Sequence, residues 1–497
     1  MCFLSKKVLK VVVLLMSIAT LFHFESVSRV SIADLYPKKN IIFEDQNGNV
    51  LRWIPDESGE RHSWTSLKNI PEIVQKAFVS AEDHRFYSHP GIDVLAIVRA
   101  VKSNLTEGRI VSGASTLTQQ LSRLSYPRKR TYYDKLVEVV RSLRIEWMLD
   151  KDKILEFYLN SVPLGNNLLG VKAGSKVYFG KTLSRLTNTE AALLASLPKA
   201  PGTLNPYGKN IHSLIERKSW VLEQMFKYGY ISSSEMETGL QTIPLIKPKS
   251  FPFKAPHFID HVLTVSKKSN QSTTLDLKLQ SRVEKILKAH QFRLKRKSAS
   301  QASVVILENT NSEILSLVGS IEYSTRHQGF NNGANALRSP GSTLKPFLFA
   351  QALDSGLDTA TVLEDIERKY VSPQGAYRPV NFNKKSYGPV SMRNALGNSL
   401  NQTAVSLLNS IGYSPFYKIL QSLDLINFPE RGPEHYGLGM VIGNPEVTLV
   451  QLAAAYATIA RGGVFTPAKY FVNTVSSKME RIYSEEASYI LTDMLSD

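Results

Sequence analysis

FVSAEDHRFYSHPGID, residues Phe78 to Asp93, sets an apolar run against an acidic pair, Glu82 and Asp83, and follows it with Phe86, Tyr87 and the turn His89-Pro90-Gly91. A His-Pro-Gly sequence punctuates the chain, so the two carboxylates fall at the end of a helical stretch. An acidic pair near a helix end needs no chemistry of its own, because helix ends collect charge. Its meaning depends on what other segments bring.

Three segments change the reading. GRIVSGASTLTQQLSR (108–123) supplies a Gly-framed Ser-Thr cluster and the pair Gln119-Gln120. RKRTYYDKLVEVVRS (128–142) supplies a cationic strip with Glu138, and KDKILEFYLNSVPLG (151–165) sets Glu156, Tyr158 and Asn160 along a helix. Arg123, Arg128, Lys129, Arg130, Lys135, Arg141 and Arg144 crowd around Glu138. A solvated helix face accounts for some of them. So many cations in a short run also suit a pyrophosphate, whose oxygens take charge-assisted donors. Glycosyl transfer from a sugar diphosphate needs this combination. One carboxylate takes the proton of the attacking hydroxyl, and cations carry the charge on the departing diphosphate.

Composition frames the claim. The 497 residues allow two or three domains with sizeable cores, and the net charge of +17 points to an anionic partner. No helix-turn-helix, zinc-finger or RNA-binding signature accompanies that charge, so nucleic acid is not the expected partner. Cys2 is the sole cysteine, which excludes an internal disulfide framework and a cysteine metal site. KKVLKVVVLLMSIATLFHF (6–24) places lysines before an apolar run from Val11 to Phe24. The run is short against the roughly 20 residues of a membrane span, and a cleaved signal peptide would look similar. It is read as a retained signal anchor, lysines inside and the bulk of the chain outside the cytoplasm.

Elsewhere the chain is organised by period and punctuation. IIFEDQNGNVLRW (41–53) reads as two strands about an Asn-Gly turn, and Pro71 to about Phe226 is mainly helical. TNTEAALLASL (187–197) opens on a cap with a Glu behind it and stops at Pro198. The stretch from about Ile243 to Thr273, rich in Pro, Lys and Ser, reads as a linker. ASVVILENTNSEILSLVG (302–319) is a hairpin signal, and it opens a mixed α/β region.

The segments EDHRFYSHPG, GASTLTQQLSR, RTYYDKLVE, KDKILEFYLN and TNTEAALLASLPKAP occur in the order of the five motifs of the family 51 peptidoglycan glycosyltransferases, the N-terminal domains of class A penicillin-binding proteins. The resemblance covers about Phe43 to Tyr207. It implies a mainly α, lysozyme-like domain with a membrane-embedded jaw, acting on lipid II and the growing glycan strand. It makes Glu82 the general base toward the acceptor's 4-hydroxyl, and Glu138 the second glutamate, at the donor's diphosphate. Asp83, Phe86, His89 and Gly91 would shape the pocket. Ser115, Thr116, Gln119, Gln120 and Asn160 would line the substrate cleft, and Lys135 would contact phosphate. The third motif departs from the family's Arg-Lys, which here is Asp134-Lys135. That anion weakens the donor site unless Arg128, Lys129 or Arg130 compensates. No metal ligand set is read, although a divalent cation (Mg or Mn) bridging the diphosphate suits such chemistry.

RSPGSTLKPFLFAQALDSG (338–356) holds Ser342 and Lys345 three positions apart, so on a helix the amine stacks over the hydroxyl. The pattern alone is weak. GNSLNQTAV (397–405) adds Ser399 and Asn401, and YRPVNFNKKSYGPVSMRNAL (377–396) lies between. Together they resemble the penicillin-binding serine transpeptidase site. By that resemblance Ser342 is the nucleophile, Lys345 its activator, Ser399 the proton shuttle and Asn401 a substrate contact. APHFIDHVL (255–263) and YGLGMVIGNPEVTLVQLAAAYATIARGG (436–463) are similar to the 1C type. No K-[ST]-G follows Asn401, so the transpeptidase domain reads as incomplete and impaired.

The expected architecture is multidomain α+β. Residues 1–33 form a cytoplasmic tail and anchor, 34–226 the glycosyltransferase domain, 227–273 a linker, and 274–497 the incomplete transpeptidase domain. The expected location is the bacterial inner membrane, crossed once, with catalytic domains on the outer side and other cell-wall synthesis proteins as further partners. Two rivals remain. A glycoside hydrolase would also use two carboxylates, and a non-catalytic wall-synthesis scaffold would keep the motifs without turnover.

Overall fold

The computed structural model describes residues 23–107, 115–129, 131–208, 211–266, 268, 271–325, 328–372, 375–472, 474 and 479–496. Nearly all of the expected anchor lies outside them. Among the described residues no helix is long and apolar enough to cross a membrane. The chain divides into two compact units, one of residues up to 41 with 53–251, the other of 42–52 with 252–497.

The first unit is helical. Helix α1 (Glu72–Glu82) buries Val74, Ala77 and Phe78 and ends at Asp83. Helix α2 (Val94–Glu107) follows the His-Pro-Gly turn, and α3 (Leu117–Ser125) starts on a capping box between Thr116 and Gln119. Helix α4 (Tyr132–Met148) is capped by Thr131, and α5 (Lys151–Ser161) by Asp150. Helix α6 (Asn188–Ser196) has the expected Thr187–Glu190 capping box and yields at Pro198 to a short 3-10 turn, Leu197–Lys199. Helix α6 is buried along most of its length, packed between α1 and α7 (Ile211–Lys227).

Two expected boundaries move. The stretch 227–273 is not one linker, because it contains α8 (Ser233–Gln241) and α9 (Pro256–Val265). Ser232 and Glu235 form a capping box for α8. Fully buried Lys218 reaches its far end, donating to the carbonyls of Gly239 at 2.8 Å and Thr242 at 3.1 Å. Those carbonyls have no partner within their own helix, so a buried cation is favourable there. The second shift concerns β1 (Ile41–Glu44) and β2 (Val50–Ile54), the hairpin read from the Asn-Gly turn. Strand β1 pairs in parallel with β3 (Gln271–Ser272), so residues 42–52 cluster with the second unit although they interrupt the first in sequence.

The second unit is mixed. Strands β4 (Val304–Leu307) and β5 (Ile314–Val318) form the expected antiparallel hairpin, against which α10 (Leu277–Arg296) lies. Helix α11 (Lys345–Asp354) is central to an apolar core. Phe347, Leu348 and Phe349 pack there with residues of α12 (Asn401–Ile411), α13 (Leu449–Ala460) and α14 (Glu485–Ser496). Strands β6 (Val362–Asp365) and β7 (Gly388–Ser391) pair antiparallel ahead of α12.

Candidate active site

Glu82 is the last residue of α1, and its carboxyl is recessed. Oε2 accepts from Gln120 Nε2 at 2.8 Å, while buried Oε1 has no hydrogen-bond partner. Burial pushes its pKa above the usual carboxylate range, opposed by Gln120 and by the charges of Arg217, Lys199 and Arg123. A carboxylate that burial makes more basic, with one open oxygen, suits a group that must take up a proton.

Asp83 turns the other way. It accepts from His89 Nε2 at 3.0 Å and from the Leu117 backbone N–H at 3.0 Å. His89 Nδ1 in turn accepts from the Gly91 N–H at 3.2 Å, which places the imidazole proton on Nε2. Gly91 has φ +89, and a Cβ there would come within 2.8 Å of Glu146 Cγ. Its carbonyl accepts from Thr116 Oγ1 at 2.7 Å. Phe86 is buried, with Lys151 Nζ 4.5 Å above its ring. Asp83, Phe86, His89, Gly91 and Thr116 therefore form a buried brace that joins α1 to α3. Asp83, His89 and Asp93 could hold a metal by spacing. His89 Nε2 carries a proton toward Asp83, and Asp93 Oδ1 already accepts from Arg85 and the Ala96 N–H. This set does not fit a divalent cation.

Across α3 lies the second carboxylate. Glu138 on α4 pairs with Lys135, and Arg123 NH1 stands 3.7 Å from it. Lys135 Nζ also donates to Ser115 Oγ at 3.2 Å and Gln119 Oε1 at 3.5 Å. Ser115, Arg123, Lys135 and Glu138 border a cleft of about 810 Å³, along with Arg128, Lys129 and Arg141. Arg130 lies outside the described residues. Neighbouring glutamines thus serve opposite sides, Gln120 toward Glu82 and Gln119 toward Lys135. Asp134 is tied down, since it accepts from Arg128 Nε at 2.5 Å and Thr131 Oγ1 at 2.6 Å at the first turn of α4.

Asn160 does not join the cleft groups. It is buried, its Oδ1 accepts from Thr65 N–H at 2.9 Å, and its Nδ2 donates to the carbonyls of Thr65 and Glu156, each at 2.8 Å. Donors and acceptor alike are engaged by backbone, so the expectation of a substrate contact gives way to a structural clamp.

In the second unit Ser342 is exposed in a 3-10 turn, Gly341–Leu344, and Lys345 opens α11. Lys345 Nζ donates to Ser399 Oγ at 3.1 Å and Asn401 Oδ1 at 2.7 Å. Desolvation lowers its pKa to about 8. Asn401 is itself positioned by Asn381, whose Oδ1 accepts its N–H at 2.7 Å. Asn381 Nδ2 reaches buried Asp365 at 2.8 Å, which also accepts from Thr403 Oγ1 at 3.0 Å.

A transglycosylase family model matches residues 47–226, and a penicillin-binding protein transpeptidase domain model matches 302–496. The chain is 31% identical over 499 residues to penicillin-binding protein 1A of Aquifex aeolicus, covering 81% of this chain and 67% of that one. The chain belongs to the class A penicillin-binding proteins. It is also 33% identical over 455 residues to penicillin-binding protein 1C of Escherichia coli, which is 91% of this chain and 58% of that relative's length. The chain thus spans less than two thirds of that relative. The crystal structure of penicillin-binding protein 1A from Haemophilus influenzae shares the fold, with a TM-score of 0.51 at 20% identity over 93% of this chain and 80% of that one.

In this class A penicillin-binding protein, several groups escaped the sequence reading. Arg217 on α7 faces Glu82 electrostatically, its Nε is buried without a partner, and its guanidinium stacks 3.7 Å from the Trp220 ring centre. Nothing local separates it from the neighbouring basic positions of an ordinary helix face. Asn381 lies within the segment 377–396 that resembles the family, and Asp365 precedes it. Their roles depend on the meeting of residues far apart in sequence.

Proposed function

We propose that the first unit polymerises lipid II into glycan strands with release of undecaprenyl diphosphate. The observation that carries this is Glu82, recessed, with one unpartnered oxygen and its pKa raised by burial, on α1, joined through α3 to a cationic cleft. In this reading Glu82 Oε1 receives the acceptor hydroxyl proton. Lys135, Arg123 and Arg128 neutralise the diphosphate as the glycosidic oxygen departs. Glu138 holds Lys135 and Arg123 in place. The family membership supports the same activity, and the cations favour a diphosphate donor over the polymer cleavage of a hydrolase.

An anchored position at the inner membrane, facing outward, fits the surface of the unit. Tyr132, Leu136, Leu143 and Trp147 form an exposed stripe on α4, and Val94, Leu95, Val98 and Leu105 are exposed on α2. The second unit we read as a serine acyl-transfer domain. Ser342 should acylate slowly, because Lys345 hydrogen-bonds Ser399 and Asn401 and not Ser342.

Purified protein incubated with lipid II decides the matter. Glycan polymer and free undecaprenyl diphosphate are the expected products. Binding without turnover would mean a scaffold, and cleavage of preformed glycan would mean a hydrolase.

A further inference from the structure

Glu82 Oε2 is held by one hydrogen bond, from Gln120 Nε2. A glutamine amide has a donor end and an acceptor end, and a half-turn exchanges them. With the donor end inward, Gln120 stabilises the carboxylate. With the acceptor end inward, two oxygens would oppose each other and the carboxylate would resist ionisation. Something must fix the amide, and the structure shows what does. Gln120 Oε1 accepts from the Tyr158 hydroxyl at 3.2 Å.

Tyr158 lies on α5, fully buried, its ring 6.3 Å from that of Phe78. We propose that Tyr158 is a positioning residue for Glu82, acting through Gln120 by holding the amide oxygen outward and its N–H toward the carboxylate. This rests on the reading of Glu82 as the base. Burial, with the charge of Glu82 adding to it, raises the Tyr158 pKa well above 10, so the hydroxyl keeps its proton at every working pH. A permanent donor leaves the amide one favourable orientation toward an ionised Glu82. The hydroxyl hydrogen-bonds Gln120 and neither Glu82 nor the cleft groups, so the orientation it imposes reaches Glu82 through that amide.

Other groups around Glu82 set the background. They are Arg217 on α7, Lys199 in the turn after α6, and Arg123 on α3, all favouring the anion, while desolvation opposes it. None of these can substitute for the hydrogen bond from Gln120, because Oε1 has no partner. Losing the orientation of Gln120 therefore leaves desolvation less opposed, and the Glu82 pKa rises further.

The test is a double-mutant cycle on the 497-residue protein, with kcat and KM for lipid II polymerisation measured across pH. Tyr158→Phe keeps the ring and its packing. It should move the acid limb of the rate profile upward by about half a pH unit, lower kcat on that limb by about threefold, and leave KM within about twofold. Gln120→Met removes donor and acceptor together and should produce at least the same shift. Adding Tyr158→Phe to Gln120→Met should then change nothing further. Effects that multiply in the double variant, or an acid limb that stays in place in Tyr158→Phe, would overturn the proposal. If wild type and Glu82→Gln polymerise equally, the reading of Glu82 as base fails. If Glu82→Gln is inactive and Tyr158→Phe matches wild type, only the positioning role fails.

Discussion

Lys345 Nζ lies 2.7 Å from Asn401 Oδ1 and makes no hydrogen bond with Ser342. The amine expected to activate the nucleophile rests on the neighbouring motif, and burial brings its pKa down to about 8. An ammonium cannot accept a serine proton, and the neutral fraction grows as pH rises through that value. Labelling of Ser342 by a fluorescent penicillin should therefore be slow and rise about tenfold between about pH 7 and pH 9, the change in neutral amine. A flat profile would remove Lys345 as the proton acceptor.

Glu82→Gln keeps shape and loses the base. Lipid II turnover should fall below about a tenth of wild type, as expected when a general base is removed. The thermal transition should remain. The wild-type rate should fall as pH drops through the raised Glu82 pKa, above the ordinary carboxylate value, because protonation fills the open oxygen. Residual turnover above that level places the proton elsewhere.

Asp134 holds Arg128 and, in the first turn of α4, accepts from the hydroxyl of the capping Thr131. Asp134→Asn keeps an oxygen for Thr131 and removes the negative charge at the cleft. The KM for lipid II should fall about threefold at low salt, with the gain shrinking as salt screens it. An unchanged KM at low salt would show that the local cations already neutralise Asp134.

For Asn160, clamp and substrate contact make different demands. Asn160→Ala strands the buried N–H and carbonyl of Thr65. Stability should drop by about 2 kcal/mol, read as a lower denaturation midpoint, while kcat/KM of the folded fraction stays within about threefold. A large fall in kcat/KM at unchanged stability would return Asn160 to the substrate.

What the sequence made legible follows from locality. The cap at Thr187, the Asn-Gly hairpin and the hairpin of 304–318 all rest on residues a few positions apart, and each appears as read. The pairing of Lys135 with Ser115, Gln119 and Glu138 was approached through the motifs, which gather the right residue types without giving their partners. Asn160 misled because an amide in a motif looks alike whether it meets ligand or backbone. Arg217, Lys199 and Asp365 were invisible because their significance lies in which distant residue they face. The helix of 233–241 had a readable capping box, masked by its position before a Pro-rich stretch.

The pairing of Phe43 with Gln271 bears on how the polypeptide is made. Synthesis is vectorial, so strand β1 emerges early and waits for its partner until the whole helical unit has been completed. Closing so long a loop is a late, entropically costly event. A shortened polypeptide that begins at residue 252 would lack residues 42–52 and leave the edge of β3 bare, a template for aggregation. Splicing 41–52 onto 252–497 through a short flexible join restores the strand order and should yield the soluble half that the simple truncation cannot.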